Sequence, residues 1–302
     1  MSRSVTAAAP AKINLQLGVG PVRRDGFHTL ATIYQAVDLY DEVTVASSAS
    51  TTLTVTGDGV DVVDVPEDAS NLALRAAEAL ADRAGVAGTV AMRIRKRIPV
   101  AGGMAGGSAD AAAALVACDA LWDLGTPRAE LFALAAELGS DVPFCLVGGT
   151  ATGSGRGEVV EPLNDVGAYT WVVALAGGGL STPGVYRELD RLRGGSPVPD
   201  PEISEDLVAA LRQGDAAALA GLLANDLQTA ALGLRPGLTE LLERGLSASA
   251  SAALLSGSGP TCLFLTRDET HARQVEDALA RSGTATLVVR GPVPGAHLLH
   301  AL

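Results

Sequence analysis

The sequence predicts an α+β protein in two parts, and three observations carry that expectation. The opening stretch alternates apolar and polar residues with the two-residue period of half-buried strands. A strand, a glycine-rich loop and an alanine-rich helix then follow one another without a break over residues 89–122. After a run of glycines and polar residues near 148–168, helical and strand patterns mix again to the end of the chain.

The elements read in order. Ile13–Val19 alternates as a strand, and DEVTVAS and TTLTVTG repeat the pattern around a Gly57-Asp58-Gly59 turn. NLALRAAEALADRAG is a helix with Asn71 at its start and Gly85 at its end. In TVAMRIRKRIPV, Val90, Met92 and Ile94 face one way and Arg93, Arg95 and Arg97 the other. Pro99 ends that strand, the glycines follow, and a helix runs from Ser108 to Trp122. PRAELFALAAELG is a second helix closed by Gly139. Beyond the glycine-rich boundary come a buried strand from Tyr169, an exposed proline-rich link at 196–202 and helices over 203–245. ALLSGSGPTCLFLT, the helix HARQVEDALARSG and a last strand ATLVVRG complete the chain.

Composition limits the function. With 302 residues and 48% hydrophobic content the chain can bury a substantial core. A net charge of -12 argues against a general nucleic-acid or anionic-membrane binder, which needs clustered Lys and Arg. An anion would have to be held locally, by backbone dipoles or a few placed cations. Cys118, Cys145 and Cys262 are scattered and odd in number, which fits a reducing cytoplasm better than a disulfide framework or a zinc site. The N-terminal apolar stretch is broken by Pro10 and Lys12 and does not read as a signal peptide, and no run is long enough for a membrane helix.

The glycine loop carries the first chemical reading. Glycine lets the backbone approach a ligand with no Cβ in the way. A helix that starts immediately afterwards adds free N–H donors and a positive dipole end. Together they make an anion site suited to phosphate, with a tight connection that binds nothing as the alternative. The loop is neither a Walker A loop, since GxxxxGK[ST] is absent, nor a dinucleotide fingerprint, since the spacing breaks GxGxxG. Gly153-Ser154-Gly155-Arg156-Gly157 lacks a following helix.

Pro99-Val100-Ala101-Gly102-Gly103-Met104-Ala105-Gly106-Gly107-Ser108-Ala109 resembles the ATP loop of the GHMP kinases, with Met104 where Leu is commoner and Ala109 where a second Ser is common. Ala8–Leu15, Arg24–Leu30, Gly139–Phe144, Asn225–Leu227 and Ser256–Gly259 resemble further motifs of the branch whose acceptor is a cytidine-diphosphate-linked methylerythritol. The matches run in order over most of the chain. The resemblance implies two α+β domains, a ribosomal-S5-like one at 1–165 and a ferredoxin-like one at 166–302, with both substrates in the cleft between them. It implies ATP-dependent phosphorylation of the 2-hydroxyl of the acceptor in non-mevalonate isoprenoid synthesis, with Mg²⁺ accompanying ATP. The implied state is a cytoplasmic monomer or weak homodimer binding small molecules, not nucleic acid or membrane.

Roles follow residue by residue from that resemblance. Asp141 is the expected catalytic base, with a helix-cap or turn role as the alternative. Lys12 is the expected catalytic cation beside it. Asn14, two residues on, shares a strand face with Lys12 and would bond the acceptor. Phe27 and His28 would clamp the cytidine, one by stacking and one by hydrogen bonds, with Tyr186 as a second stacking face. For both rings a core role is the alternative. Ser108 is expected to cap its helix, contact phosphate or hold Mg²⁺, Asp110 to favour the helix start, and Gly257 and Gly259 to allow close backbone approach. Another GHMP kinase, acting on homoserine or a mevalonate-type acid, and a non-catalytic nucleotide-binding protein are the competing readings.

Overall fold

The computed structural model describes residues 3–100 and 102–301. β1 (Ser4–Val22) and β2 (His28–Ser47) form a long antiparallel pair. β1 starts well ahead of the Ile13–Val19 run that periodicity identifies. The reason is burial on both faces: Ala7, Ala8, Ala9 and Ala11 are all buried, so the alternation disappears. Pro10 sits where the register shifts, a position that tolerates its missing N–H. β3 (Thr52–Gly57) lies parallel to β4 (Val90–Lys96).

α1 (Leu72–Ala84) is capped as its sequence predicts: Asn71 accepts from the Ala73 N–H, and Gly85 closes it at φ 66. In β4, Val90, Met92 and Ile94 are buried and Arg93 and Arg95 exposed. The alternation continues one step further than its apolar residues, because Lys96 is buried too. α2 (Gly106–Trp122) begins before Ser108 and is buried without a break from Ala109 to Leu115, as suits a helix inside the core. α3 (Arg128–Leu138) and the short α4 (Val142–Val147) follow.

The glycine-rich stretch after 148 folds into a hairpin of β5 (Thr150–Ser154) and β6 (Val159–Leu163) that extends the first sheet through β2. β7 (Tyr169–Leu175) opens the second sheet. α5 (Thr182–Arg193), which has no strong sequence signal, starts where Ser181 accepts from the Gly184 N–H. Then come α6 (Glu205–Gln213), α7 (Ala216–Leu222), the two-residue β8 (Ala224–Asn225), α8 (Gln228–Leu234) and α9 (Gly237–Ser247). β9 (Ala252–Leu255), β10 (Cys262–Thr266), α10 (Glu269–Ala280), β11 (Ala285–Gly291) and β12 (His297–Ala301) complete the described chain.

The first sheet has the order β12-β1-β2-β4-β3, with β5 and β8 attached to β2 and β1. The second has the order β11-β7-β10-β9, entirely antiparallel. Its first and last strands in sequence are neighbours and helices fill the crossovers, which is the ferredoxin-like arrangement. β12, absent from the sequence reading, crosses back to pair with the free edge of β1. One core packs α1 and α2 on the first sheet, and another packs α5, α8, α9 and α10 on the second.

Candidate active site

A cleft of about 700 Å³ lies where the two sheets' loops converge. The glycine loop forms one wall. Gly102, Gly103, Ala105, Gly106 and Gly107 line the cleft, and a Cβ placed on Gly107 would meet only open space. Ala105, at φ 60, turns the chain into α2 with no side-chain cap. The first N–H groups of α2 therefore keep no intrahelical partner, and Gly106 and Gly107, which carry two of them, line the cleft.

The hairpin loop between β9 and β10 holds that wall in place. Ser256 Oγ donates to the Gly103 carbonyl at 3.1 Å. Gly103 is at φ +75, and a Cβ there would come within 2.5 Å of the Ser256 carbonyl. A Cβ on Gly257 would lie 3.6 Å from Lys12 Nζ and from Asn14 Oδ1, so the second domain's loop reaches the polar centre of the first.

Lys12 and Asn14 share a face of β1, as their spacing requires. Lys12 Nζ donates to Asn14 Oδ1 at 2.8 Å, and Asn14 Nδ2 donates to Thr32 Oγ1 at 2.9 Å. Thr32 in turn donates to the Gln16 carbonyl, so the ammonium is held by a chain of bonds anchored in the sheet. Lys12 is only 6% exposed, yet its Nζ lies 3.7 Å from Asp141 Oδ2. Asp141 precedes α4 but its side chain makes no cap bond, which removes the capping alternative. The ring of Tyr34 packs 5.5 Å from Lys12 Nζ, and its hydroxyl faces Asp141. Burial, reinforced by that carboxylate, pushes the Tyr34 phenol well above its ordinary range, so it stays neutral.

The aromatic group forms the opposite end. His28 and Tyr186 pack with ring centroids 4.9 Å apart, and the His28 Nε2 is 2.9 Å from Asp190 Oδ1. Phe27 is 49% exposed at the cleft mouth, with the Arg156 guanidinium over its ring at 5.0 Å. Burial and the Asp141 charge raise the Tyr186 phenol above its usual range. Phe27, His28 and Tyr186 all line the cleft and belong to no main core cluster, although Tyr186 packs against the edge of one.

Some expectations need correction. Ser108 lies inside α2 and does not cap it, because the helix starts at Gly106. Ser108, Val100, Met104 and Ala109 do not line the cleft. Met104 and Ala109 are fully buried, and Met104 contributes its carbonyl, which accepts the Lys12 N–H at 3.1 Å. Ala101 lies outside the described residues. Pro99 lines the cleft, and Gly259, at φ +76 between Leu180 and Leu255, brings its carbonyl within 3.3 Å of a Cβ placed on Gly103, so it does approach the glycine loop closely. Sequence reasoning passed over Tyr34, Arg156 and Asp190, all of which line the cleft. Tyrosine is scarce in this chain, with four in all, and Arg156 sits in the glycine-rich GSGRG segment; those were the available signals. Asp190 gave none.

Comparison with known proteins supplies the context. The GHMP kinases N terminal domain matches residues 71–149 and the GHMP kinases C terminal domain residues 207–285. A 4-diphosphocytidyl-2-C-methyl-D-erythritol kinase of Streptomyces avermitilis is 56% identical over 298 residues, 98% of this chain and 100% of that protein. The protein of that name from Thermobifida fusca is also 56% identical, over 97% of each chain. A crystal structure of 4-(cytidine 5'-diphospho)-2C-methyl-D-erythritol kinase superposes with a TM-score of 0.77 at 35% identity, covering 94% of this chain and 98% of that one. An L. major mevalonate kinase shares the fold with a TM-score of 0.74 at 16% identity, covering 95% of each chain. With both halves matched in order around one cleft, and relatives more than half identical along nearly the whole length, the chain belongs to the GHMP kinase family.

Proposed function

We propose that the chain transfers the γ-phosphoryl group of ATP to the 2-hydroxyl of 4-diphosphocytidyl-2-C-methyl-D-erythritol, a step of the non-mevalonate route to isopentenyl diphosphate. The observation that carries this reading is the position of the Lys12–Asp141 pair. It stands between the glycine loop and the aromatic group, in one continuous cleft.

The geometry supplies a division of labour. Free N–H groups of the loop and of the start of α2 receive the phosphates. The rings of Phe27 and Tyr186 offer faces to a cytosine, and His28, its ring held by Asp190, reads a polar edge. The acceptor hydroxyl then lies against Asp141, which orients it and takes its proton as the new P–O bond forms. Lys12, with its ammonium fixed by Asn14, stabilises the negative charge that builds between the attacking oxygen and the phosphoryl group. Tyr34, neutral and buried, limits water around the pair.

Mg²⁺ would neutralise phosphate charge when bound with ATP. No group of three or more His, Cys, Asp or Glu suited to a metal occurs among the described residues. That donor set fits an ion carried mainly by phosphate oxygens and water, with Asp141 a carboxylate that lines the cleft and Ser108 outside its lining. The three cysteines are free and buried, which suits a reducing compartment such as the cytoplasm.

The test is ADP release with ATP and Mg²⁺, offering the cytidylated methylerythritol beside homoserine, mevalonate and galactose. Turnover with the cytidylated acceptor alone is expected. Turnover with another acceptor would keep the phosphate loop and Asp141 but discard the cytidine clamp. ATP binding without turnover on any acceptor would point to a binding protein.

A further inference from the structure

Behind the glycine loop lies a cluster of charges that the transfer step does not use. Lys96 at the end of β4, Asp41 on β2 and Asp110 in α2 are each 2% exposed or less. Lys96 Nζ is hydrogen-bonded to Asp41 Oδ2 and donates to Asp110 Oδ2 at 2.7 Å. Asp41 Oδ1 accepts the backbone N–H groups of Arg97 at 2.6 Å and Ile98 at 2.9 Å. One ammonium thus ties together both ends of the loop: the strand end before Pro99, through Asp41, and the second turn of α2, through Asp110.

The cluster presses directly on the cleft wall. A Cβ built on Gly106 would lie 3.1 Å from Lys96 Nζ, so the ammonium is packed behind a residue whose other side faces the cleft. None of the three charged residues itself lines the cleft. Fold stability alone is a poor account of them, since well-packed apolar side chains commonly serve as well as a buried ion cluster. Asp110 Oδ1 moreover has no hydrogen-bond partner among the described residues.

We propose that Lys96, Asp41 and Asp110 form a positioning triad that fixes the glycine loop and the start of α2 in the geometry that receives the ATP phosphates. The proposal rests on the reading of that loop as the ATP site. Asp110 is the member that sets the helix start, because among the described residues it carries the triad's only bond to α2.

Two variants separate positioning from folding. Asp110→Ala removes the tether to α2 and leaves Lys96 and Asp41 as a balanced pair. Asp110→Asn keeps the shape and an acceptor for Lys96. ATP binding and turnover of the wild-type chain are measured first; absence of ATP binding there would strike the loop reading itself. In Asp110→Ala the KM for ATP should rise about tenfold or more, because small misplacements of binding groups are expensive. The KM for the cytidylated acceptor should stay within about twofold, and Asp110→Asn should restore the ATP KM to within about twofold of wild type at neutral pH. An unchanged ATP KM in Asp110→Ala overturns the proposal. So does a loss confined to the fraction of active enzyme, or one shared equally by both substrates. Should Asp110→Ala fail to fold, Asp110→Ser, which keeps a polar atom in the site, is read by the same criteria.

Discussion

Lys12 Nζ and Asp141 Oδ2 stand 3.7 Å apart, one brought by the first strand of the chain and the other by the turn before α4. The pair is buried on the lysine side and open on the aspartate side, where side-chain exposure is 30%. That asymmetry leaves the carboxylate, not the ammonium, free to meet an incoming hydroxyl.

Asp141→Asn should therefore reduce kcat by about 10²–10⁴-fold, the usual worth of a positioned base, while ATP affinity stays within about twofold. Lys12→Met should cause a comparable loss. The double variant should lose much less than the product of the two, since the residues act as a unit. Steady-state kinetics and titration calorimetry with ATP measure both quantities. Full activity in Asp141→Asn would remove the base assignment.

Phe27 offers its exposed face at the mouth of the cleft, backed by Arg156. Replacing it with Ala should raise the KM for the cytidylated acceptor by about tenfold, in line with about 1–3 kcal/mol for stacking of a base on an aromatic ring. Phe27→Tyr should retain the wild-type KM. If Phe27→Ala also weakened ATP binding to the same extent, the ring would belong to the framework and not to the acceptor site.

Gly103 joins the two domains at a left-handed backbone position. Gly103→Ala should cost about 1–2 kcal/mol for the conformation alone. The added methyl also clashes with the Ser256 carbonyl. Thermal unfolding should show a melting point lower by several degrees, and the KM for ATP should rise because the loop must shift. A variant equal to wild type in both would refute the tight contact between the β9–β10 loop and the glycine loop.

Asp110 gives the protein a predictable pH response. Burial pushes its carboxyl up to about 8, opposed by Lys96 on β4 and reinforced by Asp41 on β2. The folded chain therefore holds a proton that the unfolded chain has already lost. The associated stability is complete below the ordinary carboxylate range and declines as pH rises, disappearing as pH passes through about 8. Asp110→Asn removes this term, so its denaturation midpoint should gain on wild type from mildly acidic pH up to about 8 and run parallel beyond. Parallel curves across the whole range would show that Asp110 is charged throughout.

Local patterns in the sequence determined a good part of this molecule. The caps Asn71 and Gly85, the alternation of β4 and the bare backbone before α2 each depend on neighbours a few residues away, and each is present as the residues imply. The glycine loop was legible for the same reason, since its glycines lie directly before a helix start.

The tertiary structure decided what depends on distant partners. β1 was legible only where one of its faces was polar, and β12 was missed because a strand that closes another strand's edge needs no pattern of its own. Ser108 fell inside its helix because Ala105 takes the left-handed turn. The alternation of β4 implied that Lys96 shares the buried face of Ile94, but nothing near it in sequence could say why a charge belongs there. Its partners come from β2 and α2, and only packing brings two carboxylates to one ammonium. The same holds for Lys12 and Asp141: residue type and motif nominate them, and the fold, by burying one beside the other, makes them a pair.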